Sequence, residues 1–314
     1  MACWRLPHPV LRVIALLALT RVAACGGDSF TSPTPAWPGS AGQTAVLLAA
    51  GDIGQCGSAA PQATARLLDG LPGTVITVGD HAYPSGSASD FRDCYDPAWG
   101  RHKARTRPSP GNHDYEQPGA LPYFTYFGAS AGPGSLGYYR YRLGEWQIYS
   151  LNSNVPMDAG SAQVQWLRQE LAANPSTCAL AYWHHPRFTS GPHGDHLAAQ
   201  PVWRALYEFD AEVVISAHDH LYERFLPQDP DGRPDPQRGL RQFIVGTGGA
   251  ALAAAGRAHA NSDVVWSVYG VLELVLRPGS YTWRFLSETG APADVGAGLC
   301  HEPPVRPGVS GLNW

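Results

Sequence analysis

The sequence predicts an α/β protein: β-α-β order in its first half, a β-rich second half, and strands buried on both faces. Two observations predict it. Continuous apolar runs, "TAVLLAAGD" and "GTVITVGD", flank a helical run, "APQATARLLDG", and unbroken apolar runs suit sheet strands covered on both sides. Each apolar run also stops at Asp, Asn or His, and in open α/β sheets ligands collect beyond the carboxyl ends of the strands.

The elements follow in order. The first run is a strand ending at Asp52, and the helix behind it ends at Gly70. The second strand ends at Asp80, and "RTRPSPGNHD" is a third approach to a polar turn. "GYYRYRLGEWQIYSLNS" alternates around Leu143–Gly144 and reads as a hairpin. In "SAQVQWLRQELAANP" Val164, Leu167 and Leu171 share a helical face, Ser161 is a candidate N-cap and Pro175 lies beyond the end. "CALAYWHHP" is a strand ending in histidines, "PVWRALYEF" a helix, and "AEVVISAHDH" a further strand with a polar end. "RQFIVGTGGA", "VVWSVYGVLELVL" and "YTWRFLS" are late strands.

The first 24 residues read as a secretory signal with Arg5, Arg12 and the apolar run "VIALLALT". The ending "VAAC" resembles a bacterial lipoprotein box, so a lipidated Cys25 is the expected membrane contact and plain secretion the second reading. The apolar run is too short for a comfortable span. Residues 25–43, rich in Gly, Ser, Thr and Pro, read as a flexible tether, 44–290 as one domain and 291–314 as a C-terminal tail. Beyond residue 24 there remain 19 basic and 26 acidic residues, and no basic patch or helix suggests nucleic-acid binding. Four cysteines remain past Cys25, and four allow three pairings. Cys56–Cys94 is favoured because both lie just past strand ends in neighbouring loops. Cys178–Cys300 is then the other pair.

The strand ends form a set: "AAGDIG", "TVGDHAY", "SPGNHDY", "AYWHHP" and "SAHDH". Nine of the twelve histidines fall between positions 81 and 220. Oxygen and imidazole donors converging on one edge suit Fe, Mn or Zn, and their number exceeds what one tetrahedral site needs. A dinuclear centre is the natural reading. In an extended segment alternate side chains point the same way, so His218 and His220 face one site and Asp219 points elsewhere.

These five blocks resemble the calcineurin-like metallophosphoesterases, most closely their purple-acid-phosphatase branch. That pattern is GDxG, GDxxY, GNH followed by an acid, a strand ending in His, and GHxH. Here it stands as "GDIG", "GDHAY", "GNHD", "HHP" and "AHDH", in order across about residues 45–290. The resemblance implies a four-layer α/β/β/α sandwich of two mixed sheets flanked by helices. It implies that Asp52, Tyr83 and His220 bind a first metal, Asp80 bridges, and Asn112, His184 and His218 bind a second. Pro186 favours His184 over His185. His113 would contact the substrate phosphate and help the leaving group depart, and His193, in "SGPHG", matches a further His near the substrate. Asp114 would orient His113, as a carboxylate fixes an imidazole. A coordinating Tyr83 implies Fe(III) in the first site with Fe, Zn or Mn in the second; otherwise a Mn or Zn pair is expected. Ala217 stands where the family has Gly, and Ala is strained where such a Gly has positive φ.

Each residue alone has a plainer reading. Gly-Asp is often just a turn, His81 fills a variable position, and His102 and His196 are surface or outlying residues. "GTGGA" lacks the Lys-Ser or Lys-Thr of a phosphate loop and reads as a turn. "LPYFTYFG" and "YYRY" read as packing before a leaving-group wall. Arg140, Arg142 and Arg224 read as surface pairs before phosphate contacts. The expected activity is hydrolysis of small phosphate monoesters by attack of a metal-bound hydroxide. The alternatives are a phosphodiesterase or nucleotidase on the same centre, or a non-catalytic lipoprotein that binds phosphate or metal. The expected location is the outer face of a bacterial cytoplasmic membrane, or secretion.

Overall fold

The computed structural model describes residues 44–301; the expected signal and tether, and the last thirteen residues, lie outside it. The apolar runs form β1 (Ala45–Ala50) and β2 (Thr74–Val78), which lie parallel to each other and to β3 (Thr106–Ser109). The hairpin is β4 (Tyr139–Leu143) and β5 (Trp146–Ser150). β6 (Cys178–Tyr182) and β7 (Val213–Ser216) follow parallel to β5. β8 (Tyr222–Phe225) runs antiparallel to β9 (Arg241–Val245), and β9 is parallel to β7. β10 (Ser262–Trp266), β11 (Gly270–Arg277), β12 (Ser280–Ser287) and β13 (Pro292–Leu299) complete the order.

Two mixed sheets result. One runs β13-β12-β11-β1-β2-β3 and the other β10-β8-β9-β7-β6-β5-β4. Between them lies a core of Leu47, Ile76, Ile148, Leu180, Ile215, Phe243, Leu274 and their neighbours. A second core joins the outer face of the seven-stranded sheet to the helices Ala162–Ala173 and Gln200–Glu208. A third joins the six-stranded sheet to Ala60–Asp69, short helical turns over 88–105 and Leu121–Phe127. The four-layer sandwich is therefore present. Ser161 caps its helix by accepting from Val164 N, and Val164, Leu167 and Leu171 are its buried face. Tyr123, Phe124 and Phe127 of "LPYFTYFG" belong to the third core.

Two expectations change. "VVWSVYGVLELVL" is not one stretch of sheet: Ser262–Trp266 pairs with β8 in one sheet and Gly270–Arg277 with β1 and β12 in the other. Residues 292–299, read as tail, form the edge strand β13. "PADVGAGL" carries little apolar alternation because its neighbour supplies the bulk. The Trp283 and Tyr281 rings cover Gly296 and Gly298, where an added Cβ would stand 2.2 and 2.3 Å from them.

Both favoured disulfides are present, Cys56–Cys94 and Cys178–Cys300. The second joins the end of β13 to β6, and so fastens one sheet to the other. It closes a loop of 122 residues, the first one of 38. Loop-closure entropy puts their stabilisation at about 5 and about 4 kcal/mol. Cys178→Ala/Cys300→Ala should therefore lose about as much stability as Cys56→Ala/Cys94→Ala or slightly more, read from urea denaturation. Unchanged midpoints would show that the cross-links constrain nothing that the sheets do not already hold.

Candidate metal centre

The parallel strands deliver their polar ends to one edge, where the sheets are stitched together. Gly51 N donates across to Val245 O of the other sheet at 2.8 Å, while Asp52 N to Gly79 O at 3.1 Å and Ala217 N to His184 O at 2.9 Å tie neighbouring strand ends within each sheet. His184 reaches across to donate from Nδ1 to Val78 O at 2.8 Å. Its ring fills the place a side chain on residue 79 would need: a Cβ on Gly79 would lie 2.4 Å from His184 Nδ1, and Gly79 is at φ 83°.

The chain turns at these strand ends through left-handed backbone at non-glycine residues. Asp52 has φ 56°, Asp80 49° and His218 70°. Each costs roughly 1–2 kcal/mol, and each aims a donor into the edge. The positive φ thus falls on His218 and not on Ala217, whose methyl instead abuts Gly51. The 217–220 segment is bent and not extended, so alternation is not what directs its histidines.

The donors form two groups with one atom in common. Tyr83 Oη lies 2.8 Å from Asp52 Oδ1, 3.1 Å from His220 Nε2 and 3.2 Å from Asp80 Oδ2. The same Asp80 Oδ2 lies 3.2 Å from His184 Nε2. His184 Nε2 is in turn 3.1 Å from Asn112 Oδ1 and 3.3 Å from His218 Nδ1. Asp80, His184 and His218 bring one donor atom each within 4.8 Å of one another. The remaining oxygens are committed to backbone: Asp80 Oδ1 accepts from His113 N at 2.8 Å, and Asp52 Oδ2 from His218 N at 2.9 Å. All seven sequence-predicted metal residues therefore come together. His184 stands at Asp80; His185 packs its ring against that of His218 at 4.4 Å, centroid to centroid, and bonds Ser153 Oγ through Nδ1 at 2.7 Å.

Carbonyls only accept, so His184 and His220, bonded through Nδ1 to Val78 O and Ala251 O, carry hydrogen there and turn Nε2 to the cluster. Burial pulls both imidazoles down, but Asp80 beside His184 and Asp52 beside His220 outweigh it and raise each to about 9. His218 falls to about 4 through burial and the neighbouring His184. Burial, then Asp52 and Asp80, push the Tyr83 phenol well above its usual value. Against the opposing effect of burial, His184 and His220 hold the carboxyls of Asp80 and Asp52 below the ordinary range. Buried oxygens and imidazoles with preset lone pairs fit hard or borderline cations.

The substrate-side residues divide. His113 sits over the Tyr83 ring at 4.6 Å, with Nδ1 2.5 Å from Pro84 O and 3.0 Å from Glu116 Oε1. Asp114 does not orient it. The turn Asp114–Glu116 points that carboxylate inward, where it accepts from Gly111 N at 2.8 Å and meets His81 Nδ1 at 2.9 Å. His81 is thus no filler: it is fully buried, with Nε2 2.7 Å from Thr77 Oγ1. His193 lies beside His218, held by Asp219. Asp219, His81 and the His185–Ser153 pair gave no signal in the sequence as support for the site. Arg140, Arg142 and Arg224 are engaged by Glu170, Glu145 and Asp294. His102 is not at the surface: it is buried against the first helix, with Nε2 3.2 Å from Ala65 O.

The calcineurin-like phosphoesterase family matches residues 45–222, which is more than half the chain and takes in all five blocks. The chain belongs to this family. Purple acid phosphatase 23 of Arabidopsis thaliana is 26% identical over 197 residues, 51% of this chain and 43% of its own length. Among solved structures, purple acid phosphatase PPD1 from seeds of yellow lupin (Lupinus luteus) superposes with TM-score 0.72 at 16% identity, over 83% of this chain and 54% of its own. GAP50, the anchor in the inner membrane complex of Plasmodium, gives 0.67 at 14%, over 83% and 90%. These structural likenesses show the fold. This calcineurin-like chain spans about half the length of the two plant proteins.

Metal binding must expel the protons that Asp52 and Asp80 hold on His184 and His220. Both imidazoles titrate near 9, so affinity for added Zn²⁺ should climb as pH rises from 6 to 9. At pH 7 in weak buffer, binding should release roughly two protons per chain. Release near zero would mean the imidazoles are already neutral in the metal-free protein.

Proposed function

We propose that the chain is an exported phosphatase that holds two metal ions and hydrolyses phosphate monoesters. One observation carries it: Asp80 Oδ2 is 3.2 Å from Tyr83 Oη on one side and 3.2 Å from His184 Nε2 on the other. Tyr83, Asp52 and His220 would hold one ion, Asn112, His184 and His218 the other, with Asp80 between. Bound there, such a pair supplies positive charge to the phosphate oxygens and acidifies a water.

The chain's own residues do the rest. His113 donates through Nδ1 to Pro84 O, which leaves Nε2 to hold a proton for the departing oxygen. Its side chain is 30% exposed, so the leaving group has room to depart. His113 beside Tyr83 and His193 beside His218 are both partly exposed, and two imidazole donors suit a phosphate with several charged terminal oxygens better than a diester. The Tyr83 phenol, pushed up by burial and two carboxylates, gives up its proton only to a strongly charging ion, which favours Fe(III) with Fe, Zn or Mn as partner. The two disulfides support an oxidising compartment. Lipidation at Cys25 is the anchor in this reading, and among the described residues no helix is long and apolar enough to cross a membrane.

Elemental analysis of the protein from Thr44 onward, with its visible spectrum, tests this. About two metals per chain, including iron with a violet band lost in Tyr83→Phe, is the expected result. His113→Ala should lower kcat on a monoester at least about 10²-fold with metal content unchanged. Far less than one metal per chain after reconstitution would return the protein to a non-catalytic role.

A further inference from the structure

The loop after β6 folds back over the metal edge at 189–193, and two buried carboxylates hold it there: Glu223 takes the amide and hydroxyl of Ser190, and Asp219 the residues on either side. Asp219 is 0% exposed. It accepts from Thr189 Oγ1 at 2.6 Å, from His193 N at 3.1 Å and from His193 Nδ1 at 2.8 Å. Gly191 lies flat against it: a Cβ there would stand 2.0 Å from Asp219 Cγ, and its N–H donates to Thr189 Oγ1 at 2.8 Å. The His193 ring lies 4.4 Å from that of His218, centroid to centroid, and its side chain is 49% exposed.

An ionised carboxylate only accepts, so His193 Nδ1 carries hydrogen and Nε2 is left for another partner. Asp219 also sits between His218 and His220 in the chain. One side chain therefore ties the metal-binding segment to the loop that carries His193.

We propose that Asp219 is a positioning residue: it fixes His193 as the Nδ1–H tautomer and presents Nε2 to a phosphate group bound beside His218. The proposal rests on the phosphoesterase reading for its ligand, and on the hydrogen bonds above for its geometry. Asp219 thus does for His193 what Asp114, turned toward His81, does not do for His113.

The test uses Asp219→Ala, Asp219→Asn, His193→Ala and the double variant Asp219→Ala/His193→Ala. Nitrogen-15 long-range spectra of the zinc-exchanged protein report the His193 tautomer without any turnover. Wild type should show Nδ1–H. Asn should retain it, because Oδ1 still accepts from His193 while the amide faces Thr189. Ala should yield a mixture rich in Nε2–H. Calorimetric affinity for inorganic phosphate should fall about tenfold in Asp219→Ala and by a similar factor in His193→Ala. The double variant should be no weaker than His193→Ala, and metal content should be equal in all. A wild-type His193 with hydrogen on Nε2, a further loss in the double variant, or metal lost from Asp219→Ala would overturn the proposal. Wild-type protein with the expected tautomer but no affinity for phosphate would overturn the phosphate role, and the absence of any phosphoester turnover would mark that failure as one of the phosphoesterase reading.

Discussion

A carboxylate in the interior is expensive unless every lone pair finds a partner. Asp80 is 1% exposed, and the architecture can be read as the set of partners it requires. One oxygen faces Tyr83 and His184; the other takes the amide of His113. Those partners come from three strand ends in two sheets. The sheets can supply them only if their carboxyl ends meet at one edge, which the parallel order β1-β2-β3 and β5-β6-β7 arranges. Asp52 repeats the arrangement one strand over, with Tyr83, His220 and the amide of His218.

The sequence revealed this edge because its logic is local. An apolar run followed by a polar turn marks a strand end, and five such ends in order leave little freedom about where the donors gather. What stayed hidden depends on contacts far apart in the chain. Asp114 follows His113 directly, and adjacency suggests a pair; a tight helical turn sends the carboxylate to His81, 33 residues earlier. Asp219, between two histidines, looked like a spacer because its partners Thr189 and His193 lie some thirty positions back. β13 was missed for a related reason: its glycines are covered by Trp283 and Tyr281 of the adjoining strand, so its own residues need not be apolar.

Distant parts of the chain are also bolted together by polar groups. Asp294 of β13 accepts from Arg224 Nε at 2.6 Å, Tyr222 Oη at 2.7 Å and Trp283 Nε1 at 3.0 Å. A carboxylate on one sheet is thereby satisfied largely by donors from the other. This bolt and the Cys178–Cys300 bridge both act on β13, an edge strand with little apolar surface of its own. Its hold on the fold comes from bonds more than from burial.

The place of β1 has a consequence for how the molecule is made. It lies inside its sheet, with β2 close by in sequence on one side and β11 on the other, where Ala45 faces Leu276. The first of the described strands to be synthesised therefore waits for one of the last before both its edges are covered. Pairings of such long reach slow folding, because chain entropy is spent before contacts return it. Until residue 277 has emerged, a nascent chain carries an open, apolar β1 edge, the kind of edge that recruits other chains. Fragments ending short of β11 are bound to be sticky and incomplete, even though every donor of the cluster, from Asp52 to His220, has by then been made.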